Sequence, residues 1–393
     1  MDIGIDASCW WNRRGFGRFT RELLKAMFAA PNPHRYCLFI DQPPDAAMLA
    51  PNVRIVRVDT RRTVTQSAVA ADRRGLRDVW AFRRAVAAQR LDLMFFPAVY
   101  SWFPVKRGPP CVVTVHDAIA EHFPDLVFPG LKGRLLWALK IRLACRQAAR
   151  IMTVSQAARA EIVAHLGVAQ ERIDVVTEAA DARFQPVEDA RRRAASRRRA
   201  KLPDNARLVL YVGGFAPHKN LGNLLRGFAL AAAEQAANDI HLALVGDPGG
   251  DGFHSNTAQL MAQIDADPAL SGRVHFTGFV ADDDLVALYT DALAVVMPSF
   301  SEGFGLPAVE AMACGTPVLS STAGAVPEVV GEAGLYFDPN SPQEIAAAIV
   351  RLASDNGLNA ALREKARARA RLYSWQRAAA IALAHLEAVG GRP

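Results

Sequence analysis

The stretch Pro298-Ser-Phe-Ser-Glu302-Gly-Phe-Gly-Leu-Pro-Ala-Val-Glu310-Ala-Met-Ala-Cys-Gly315-Thr-Pro-Val318 decides the fold. It follows an apolar run, passes through a glycine-bearing polar loop and enters an apolar-periodic segment, which predicts a strand, a loop and a helix. Pro307 stands near the first turn of that helix, where its missing N–H costs nothing. The unpaired N–H groups and the positive dipole end of a helix start attract an anion. The stretch therefore predicts a phosphate site.

Two carboxylates flank this predicted phosphate site. Glu302 lies in the loop, and Glu310 lies about one turn into the helix. Gly303 and Gly305 leave room for a ligand to approach the backbone. A carboxylate accepts two hydrogen bonds and therefore suits a vicinal diol of a sugar or a ribose. The pattern indicates a nucleotide-sugar pocket; the other interpretation is a capped helix with two solvated acids.

The spacing from Glu302 to Glu310, within the run EGFGLPxxEAMACGxPV, resembles the E-x7-E element of the retaining glycosyltransferases of the large family four, or group 1. The similarity extends over nearly the whole chain and leans toward mannosyltransferases. It is weakest across 40–90 and 185–206. The resemblance implies an α/β protein of the GT-B fold, with two Rossmann-like domains facing across a cleft.

Two elements in the first half of the chain also resemble this family. Gly15 and Gly17 follow the first predicted strand, where a Rossmann-like unit places its phosphate site, although a plain turn has the same pattern. The run Val-Thr-Val-His116-Asp117 resembles the family's histidine–aspartate element. The resemblance implies that the glycine loop faces the donor diphosphate and that His116 contacts the transferred sugar. A lone histidine at the end of a buried strand is otherwise more often structural.

In the second half, Lys219 precedes a predicted helix start, and the resemblance implies that it clamps a phosphate. Many relatives have an arginine five residues before this lysine, where the present chain has Gly214. The missing charge has several candidate sources: Arg13, Arg14, Arg18, His218 or the amides of the glycine loop.

Together these elements define the predicted site. The predicted catalytic residues are His116, Glu302 and Lys219, with Glu302 holding sugar hydroxyls. The predicted donor contacts are Gly15, Gly17, Gly214, Gly303, Phe304, Gly305, Leu306 and Glu310, the last of which would bind the ribose diol.

At 393 residues the chain exceeds the size at which one core keeps growing, so two domains are expected. Residues 1–185 form the predicted acceptor domain, and 207–374 form the predicted nucleotide-sugar domain. Residues 186–206, rich in arginine, are the predicted basic linker. The resemblance implies that the last helix, 375–393, returns to the first domain.

Composition limits the compartment and the cofactors. The cysteines are five, scattered, and mostly in apolar runs, which is typical of buried thiols in a reducing compartment. No apolar run is long enough to cross a bilayer and no signal pattern opens the chain, so we expect a cytoplasmic protein.

Asp282-Asp-Asp284 fits a helix cap, and 247–252 lacks the ligands of a calcium loop. We expect no metal and no cofactor.

The net charge of +7 suggests an anionic partner, although an arginine-rich composition without such a partner is equally compatible with it. Residues 131–146 form a predicted helix with an apolar face and basic flanks. This helix either packs on its own sheet or lies on an anionic membrane, which would place the protein at the inner membrane face. The arginines of 191–201 lack interleaved aromatic residues, so no nucleic-acid partner is predicted.

The sequence thus predicts a metal-independent, retaining hexosyltransferase of polysaccharide biosynthesis. It would move a sugar from a nucleoside-diphosphate sugar to a glycan or lipid-linked acceptor. Overall similarity favours mannose from GDP-mannose. The alternatives are a nucleotide-sugar epimerase or hydrolase of the same fold, and a non-catalytic binding module.

Overall fold

The chain divides into two compact units, each with its own parallel sheet. Our computed structural model describes residues 1–61, 75–105, 108–247 and 256–391. The first unit contains Met1–Glu178 and Ser374–Pro393, and the second contains Ala179–Tyr373. The division after Glu178 falls earlier than the predicted boundary at 185, because the segment that follows packs within the second unit.

The first unit is built on a parallel sheet of seven described strands in the order β3-β2-β1-β4-β5-β6-β7. The strands β1 to β3 extend the sheet to one side of β1 and the strands β4 to β7 extend it to the other, which makes the β1–β4 pair the topological switch point. The strands are β1 Asp2–Asp6, β2 Arg35–Ile40, β3 Val53–Arg57, β4 Leu93–Phe96, β5 Cys111–Thr114, β6 Arg150–Thr153 and β7 Ile173–Val175.

Helices cover both faces of this sheet. They are Gly15–Ala29, Leu76–Ala87, Ile119–His122, Pro124–Val127, Leu131–Gln147, Gln156–Leu166 and Trp375–Gly390. Right-handed crossovers place the helices between β3 and β7 on the face opposite Gly15–Ala29. Accordingly, Phe82, Trp137 and Ile162 share one core cluster with Phe96 and alternate residues of the neighbouring strands.

The second unit has a parallel sheet of six described strands in the order β10-β9-β8-β11-β12-β13, with its switch point between β8 and β11. The strands are β8 Arg207–Val212, β9 Ile240–Val245, β10 Val274–Gly278, β11 Ala294–Met297, β12 Val318–Ser321 and β13 Gly334–Phe337. The helices are Ala190–Arg199, Leu221–Ala232, Thr257–Ala266, Asp282–Asp291, Leu306–Ala313, Val326–Val330, Pro342–Ser354 and Asn356–Ala370. The predicted α/β class is confirmed.

The structure has a packed helix where the sequence predicted a basic linker. Ala190–Arg199 lies against Asp282–Asp291, and its Arg197 is buried. The Arg197 guanidinium donates to the Asp291 carboxylate at 2.6 Å and to the carbonyl of Pro203 at 2.6 Å. Arg199 pairs with Asp284. The arginine run is therefore partly neutralised by acids of its own unit, which sequence spacing alone does not reveal.

The C-terminal helix belongs to the first unit. Trp375–Gly390 packs along Gly15–Ala29, with the Trp375 ring 6.0 Å from that of Phe19. Near the end of the helix, the Glu387 carboxylate lies 2.8 Å from Nε2 of the buried His34. The buried side chains of this helix, among them Trp375, Ala382 and Leu386, attach it to the first unit.

All five cysteines are buried thiols outside any disulfide, as expected from their apolar surroundings. Among the residues that the structure describes, no helix combines the length and the apolar character needed to span a bilayer.

Replacing Arg197 tests the packed-helix description. Arg197→Ala should lower the free energy of unfolding of the second unit by about 3 kcal/mol. The Asp291 carboxylate and the carbonyls of Pro203 and Ala206 would each lose a buried charged donor. Arg198→Ala, an exposed position on the same helix, should change it by less than about 0.5 kcal/mol. Urea unfolding of the full chain measures both. Equal, small effects would show that 190–199 is an unpacked linker.

Candidate functional site

The candidate site of the second unit lies at the carboxyl edge of its sheet, at the switch point. Lys219 follows β8 and Glu302 follows β11, and these two strands are neighbours. Open parallel sheets bind ligands in the crevice outside such a switch point. The topology therefore brings together two residues that are 83 positions apart.

The loop after β11 leads into the predicted helix, Leu306–Ala313, with Pro307 in its first turn. Gly305 caps the helix with a φ of 94°, in the left-handed region that favours glycine. A Cβ there would also lie 2.9 Å from Val326. Gly305 is therefore required by the turn itself. Phe304 and Leu306 are buried, and the Phe304 ring meets the edge of Tyr373 at 5.5 Å.

Lys219 and Glu302 form a bidentate ion pair. The Lys219 ammonium donates to both carboxylate oxygens of Glu302 at 2.8 Å, and the Ser299 hydroxyl donates to Oε1 at 2.6 Å. The two side chains are only 20% and 13% exposed. The predicted phosphate clamp and the predicted sugar-holding acid thus contact each other in the structure.

This arrangement keeps Glu302 ionised. Burial raises the pKa of the Glu302 carboxyl, but the charge and hydrogen bonds of Lys219, with the bond from Ser299, outweigh burial. The pKa is consequently lowered from its ordinary 4.5. An ionised carboxylate accepts hydrogen bonds only, which is the chemistry needed to hold sugar hydroxyls.

Asn220, which the sequence analysis missed, fixes the position of Lys219. It has a φ of 60°, a conformation that asparagine tolerates better than most residues. Its buried side-chain amide donates to the carbonyls of Pro298 at 2.9 Å and of Pro339 at 2.7 Å. The backbone N–H of Phe300 donates to the carbonyl of His218 at 3.0 Å. The loops after β8 and β11 are therefore joined on both sides of the ion pair.

A third loop supports the acid. The Ser321 hydroxyl, at the end of β12, donates to the carbonyl of Ser299 at 2.8 Å, and the Ala325 N–H donates to the carbonyl of Glu302 at 3.1 Å. Gly324 has a φ of 68°, and a Cβ on it would lie 2.7 Å from the Glu302 nitrogen. Ser321 and Gly324 were not identified from the sequence because Ser299 and Glu302, which they contact, lie 22 residues earlier in the chain. Ser299 was not identified either, although it lies only three residues before Glu302.

The second unit contains one side-chain candidate for the missing clamp charge, His218, and the position where the arginine is missing, Gly214. His218 does not supply a positive charge at neutral pH: burial, and then the Lys219 charge, lower its pKa to about 3. Gly214 is exposed, with open space around the position of a Cβ. Without a bound anion the His218 imidazole is therefore neutral, and its replacement of the arginine stays a prediction.

Glu310 is buried on the same helix. Its carboxylate accepts a hydrogen bond from the Tyr289 hydroxyl at 3.2 Å. Tyr289 orients one carboxylate oxygen and was not predicted. The role of Glu310 as an acceptor for a ribose diol stays a prediction.

The remaining predicted residues lie in the first unit, at the carboxyl edge of its own sheet. His116 follows β5 and is buried; its Nε2 lies 3.1 Å from the carbonyl oxygen of Pro97, and its Nδ1 lies 3.7 Å from Glu178. Phe19 meets the ring edge-on at 4.8 Å. These contacts fix the ring orientation. Glu178 is a further buried acid that the sequence analysis missed.

The two glycines of the first loop differ in their surroundings. Gly15 begins the helix Gly15–Ala29, with open space where a Cβ would stand. A Cβ on Gly17 would lie 2.1 Å from the carbonyl oxygen of Asn12, so the loop before the helix folds back onto it. Gly17 is thus required by packing against its own loop, whereas Gly15 leaves an open approach. Three arginines of the suggested clamp also lie in this unit: Arg13, Arg14 and Arg18.

Two sequence patterns, Asp282–Asp284 and 247–252, have spacings that resemble metal sites. Asp282, Asp283 and Asp284 fill the first turn of Asp282–Asp291, and Asp284 pairs with Arg199. Most of the 247–252 pattern lies outside the described residues. Across 1–61, 75–105, 108–247 and 256–391, no group of three or more His, Cys, Asp or Glu side chains is arranged to hold a metal ion.

Two family models match the chain, and between them they cover both units. Residues 13–184 match the model described as Glycosyltransferase Family 4, and residues 192–369 match the model described as Glycosyl transferases group 1. The match to the second model includes the Lys219–Glu302 pair.

Curated relatives carry related descriptions. A D-inositol 3-phosphate glycosyltransferase of Salinispora tropica is 34% identical over 70% of this chain and 58% of its own length. An O-antigen chain mannosyltransferase B of Escherichia coli is 36% identical over 43% of this chain and 42% of its own length. The chain spans about half the length of the curated relatives it matches.

Solved structures share the fold. Sucrose-phosphate synthase of Thermosynechococcus elongatus superposes with a TM-score of 0.75 at 21% identity and covers 100% of both chains. Anabaena HepE, solved in complex with UDP and glucose, gives 0.73 at 21% identity, with 98% of this chain and 99% of HepE covered. At such identities the likeness concerns the fold alone. The predicted GT-B fold is confirmed.

The contrast between the two glycines is testable. Gly17→Ala should destabilise the first unit by about 2–3 kcal/mol, because the added methyl overlaps the Asn12 carbonyl. Gly15→Ala should change the unfolding free energy by less than about 0.5 kcal/mol, since it enters open space at a helix start. Chemical unfolding of the two variants measures this difference. A stable Gly17→Ala protein would contradict the loop packing described here.

Proposed function

The chain belongs to the group 1 glycosyltransferases, and on that premise we propose that it transfers a sugar from a nucleoside-diphosphate sugar to a glycan or lipid-linked acceptor. The observation that carries this proposal is the Lys219–Glu302 pair beside a glycine-capped helix start. A cation and backbone N–H groups suit a diphosphate, and an ionised acid suits sugar hydroxyls. All three lie at the carboxyl edge of one sheet.

In the proposal, Lys219 and Glu302 each have one set of partners without the donor and another set when the donor is bound. Without a donor, each neutralises the other. In the proposal, a bound diphosphate competes for the ammonium and sugar hydroxyls compete for the carboxylate, so that donor binding replaces one charge pair by two sets of charge-assisted hydrogen bonds. Asn220 and Ser299 keep the two groups in place during this exchange.

Catalysis in this proposal rests on electrostatics. Departure of the nucleoside diphosphate develops negative charge, and donors fixed beforehand stabilise it without reorganisation. Lys219 and the amides from Gly303 to Leu306 would supply this, with the Gly15–Gly17 loop of the first unit as a predicted addition. No metal is needed in the proposal.

Retention of configuration is also proposed from the family resemblance. Retaining glycosidases place two carboxyl groups about 5–5.5 Å apart, one of them as a nucleophile. Glu302 is instead held by Lys219 and Ser299, an arrangement suited to orienting a sugar. We therefore propose a same-face transfer in which the departing phosphate helps to deprotonate the acceptor. His116 would contact the sugar.

Mannose from GDP-mannose is the proposed donor sugar. Support comes from the curated relatives described as mannosyltransferases of Escherichia coli. Anabaena HepE, which shares the fold, was solved with UDP-glucose, so UDP-sugars are the main alternative donors. The buried thiols, which form no disulfide, fit the reducing cytoplasm, where we propose that the reaction takes place.

Substitution of the pair tests the proposal. Lys219→Met and Glu302→Gln should each lower sugar transfer by about a hundredfold or more, because each removes a group aimed at developing charge or at the sugar ring. The matched controls are Lys365→Met and Glu332→Gln, an exposed ion pair of the same unit, which should leave transfer unchanged. Transfer is measured from radiolabelled GDP-mannose to a glycolipid extract.

A thermal-shift panel of GDP-, UDP- and ADP-sugars establishes the donor first, since a bound donor raises the melting temperature. Donor conversion without any acceptor would assign the protein as an epimerase or hydrolase. Normal transfer by both Lys219→Met and Glu302→Gln would contradict the proposed site.

A further inference from the structure

One helix of the first unit exposes a continuous row of leucines. On Leu131–Gln147, Leu131, Leu135, Leu139 and Leu143 are 74%, 69%, 54% and 45% exposed. Residues four apart advance about 40° around a helix, so these four side chains cover about 120° of its surface. We call them the leucine face. Single exposed leucines are ordinary, but four in register form a contiguous apolar strip.

The other side of the same helix is packed in the normal way. Trp137, Ile141, Ala144 and Cys145 are buried in the core of the first unit. The two interpretations of this segment, packing on its own sheet or facing a membrane, therefore apply to opposite sides of one helix. The buried side of the helix packs it onto the first unit, and the leucine face remains exposed.

Cations lie among the leucines. Lys132, Arg134, Arg142 and Arg146 are exposed, and the helix from 131 to 147 contains no Asp or Glu. At about 100° per residue, Lys132, Arg142 and Arg146 fall within the arc of the leucine face. Leucines interleaved with long basic side chains form the pattern of a helix that lies in a membrane interface, with its cations reaching the head groups.

A second helix on the same face of the sheet has the same character. Leu76 and Trp80 of Leu76–Ala87 are exposed one turn apart, and the Arg84 guanidinium lies 5.2 Å from the Trp80 ring centre. Both helices pack into one core cluster and follow crossovers of the same hand, so they cover the same face. Tryptophan and arginine are common anchors at a membrane surface.

We propose that this face of the first unit, formed by the leucine face and by Leu76 and Trp80, docks on an anionic lipid bilayer. The leucines would enter the boundary between head groups and acyl chains while the basic side chains contact lipid phosphates. The charge distribution argues against a second copy of this chain as the occupant. Two such faces would bring like charges together, and the centres of protein interfaces are depleted of charge.

The Leu131–Gln147 helix also contacts the connections that follow β4 and β5. The Trp137 indole N–H donates to the Glu121 carboxylate at 2.7 Å, and Lys140 donates to the carbonyl of Tyr100 at 2.6 Å. Glu121 lies five residues beyond His116 in the same connection. If the proposed function holds, the bilayer would lie against the helix that supports this connection, a placement suited to an acceptor carried by a lipid.

Vesicle binding by the full chain tests the docking proposal without any donor or acceptor. Wild-type protein should sediment with vesicles of equal parts phosphatidylcholine and phosphatidylglycerol and much less with phosphatidylcholine alone. Leu135→Gln/Leu139→Gln should reduce partitioning about tenfold or more, because two leucines lose their apolar gain. The matched control is Leu230→Gln, 46% exposed in the second unit, which should bind as wild type does.

Arginine variants distinguish vesicle binding by this helix from binding through the general positive charge of the protein. Arg142→Gln/Arg146→Gln should lower partitioning to anionic vesicles about fivefold per cation, whereas Arg191→Gln/Arg198→Gln, in the more basic 190–199 helix, should not. Thermal unfolding of each variant checks that it is folded.

The proposal fails if the leucine variant binds as well as wild type, or if wild type does not bind anionic vesicles. It also fails if the wild type forms a concentration-dependent dimer that the leucine variant loses, because that result would assign the face to a second copy.

Discussion

The ion pair between Lys219 and Glu302 is the constraint on which the candidate site depends. Strand order brings the two residues together: β8 and β11 are neighbours at the point where the strand order reverses, so the loops at their carboxyl ends lie side by side. An ammonium and a carboxylate that are mostly removed from water need each other's charge, and each leaves an expensive unpaired ion if the other is lost. The hydrogen bonds of Asn220, Ser299 and Ser321 hold the loops so that this contact persists.

The same contact links stability to function. A site that binds a diphosphate and a sugar needs a cation and an acid close together before the donor arrives, because fixed charges are more effective than charges that must be recruited. The two opposite charges also make such a site tolerable inside the fold when no donor is bound. With His218 neutral and Gly214 lacking a side chain, Lys219 is the cation on which diphosphate binding at this edge of the second unit would depend.

Much of this organisation was predictable from the sequence. The run around Glu302 predicts a strand, a glycine-bearing loop and a helix, and the structure has them at β11 and Leu306–Ala313. Periodicity and turn residues carry that information locally. The contact of Lys219 with Glu302 was not predicted, since both residues were assigned to a ligand and neither pattern reveals a partner 83 residues away. Gly17 shows the same limit: its glycine is required by the carbonyl of Asn12, which no motif encodes.

Charge patterns were the least informative part of the sequence. The arginines of 190–199 and those of 131–147 look alike in composition. Arg197 and Arg199 nevertheless pair with Asp291 and Asp284 of their own unit, whereas Arg142 and Arg146 lie among exposed leucines. A run of like charges indicates surface, but only tertiary structure shows which cations are already paired. Burial likewise decides the charge of His218, which sequence alone suggested as a cation.

Titration of the Glu302 carboxyl by NMR, in the wild type and in Lys219→Met, tests the central ion pair most directly. The lysine charge and its hydrogen bonds hold the pKa of Glu302 below the ordinary 4.5, against the effect of burial. Without the lysine, burial should dominate, and Glu302 of the variant should titrate above 4.5. The wild-type protein should therefore gain stability from this pair above pH 4.5 and lose it as the pH falls through the lower, folded-state pKa. The same pKa in both proteins would contradict the account.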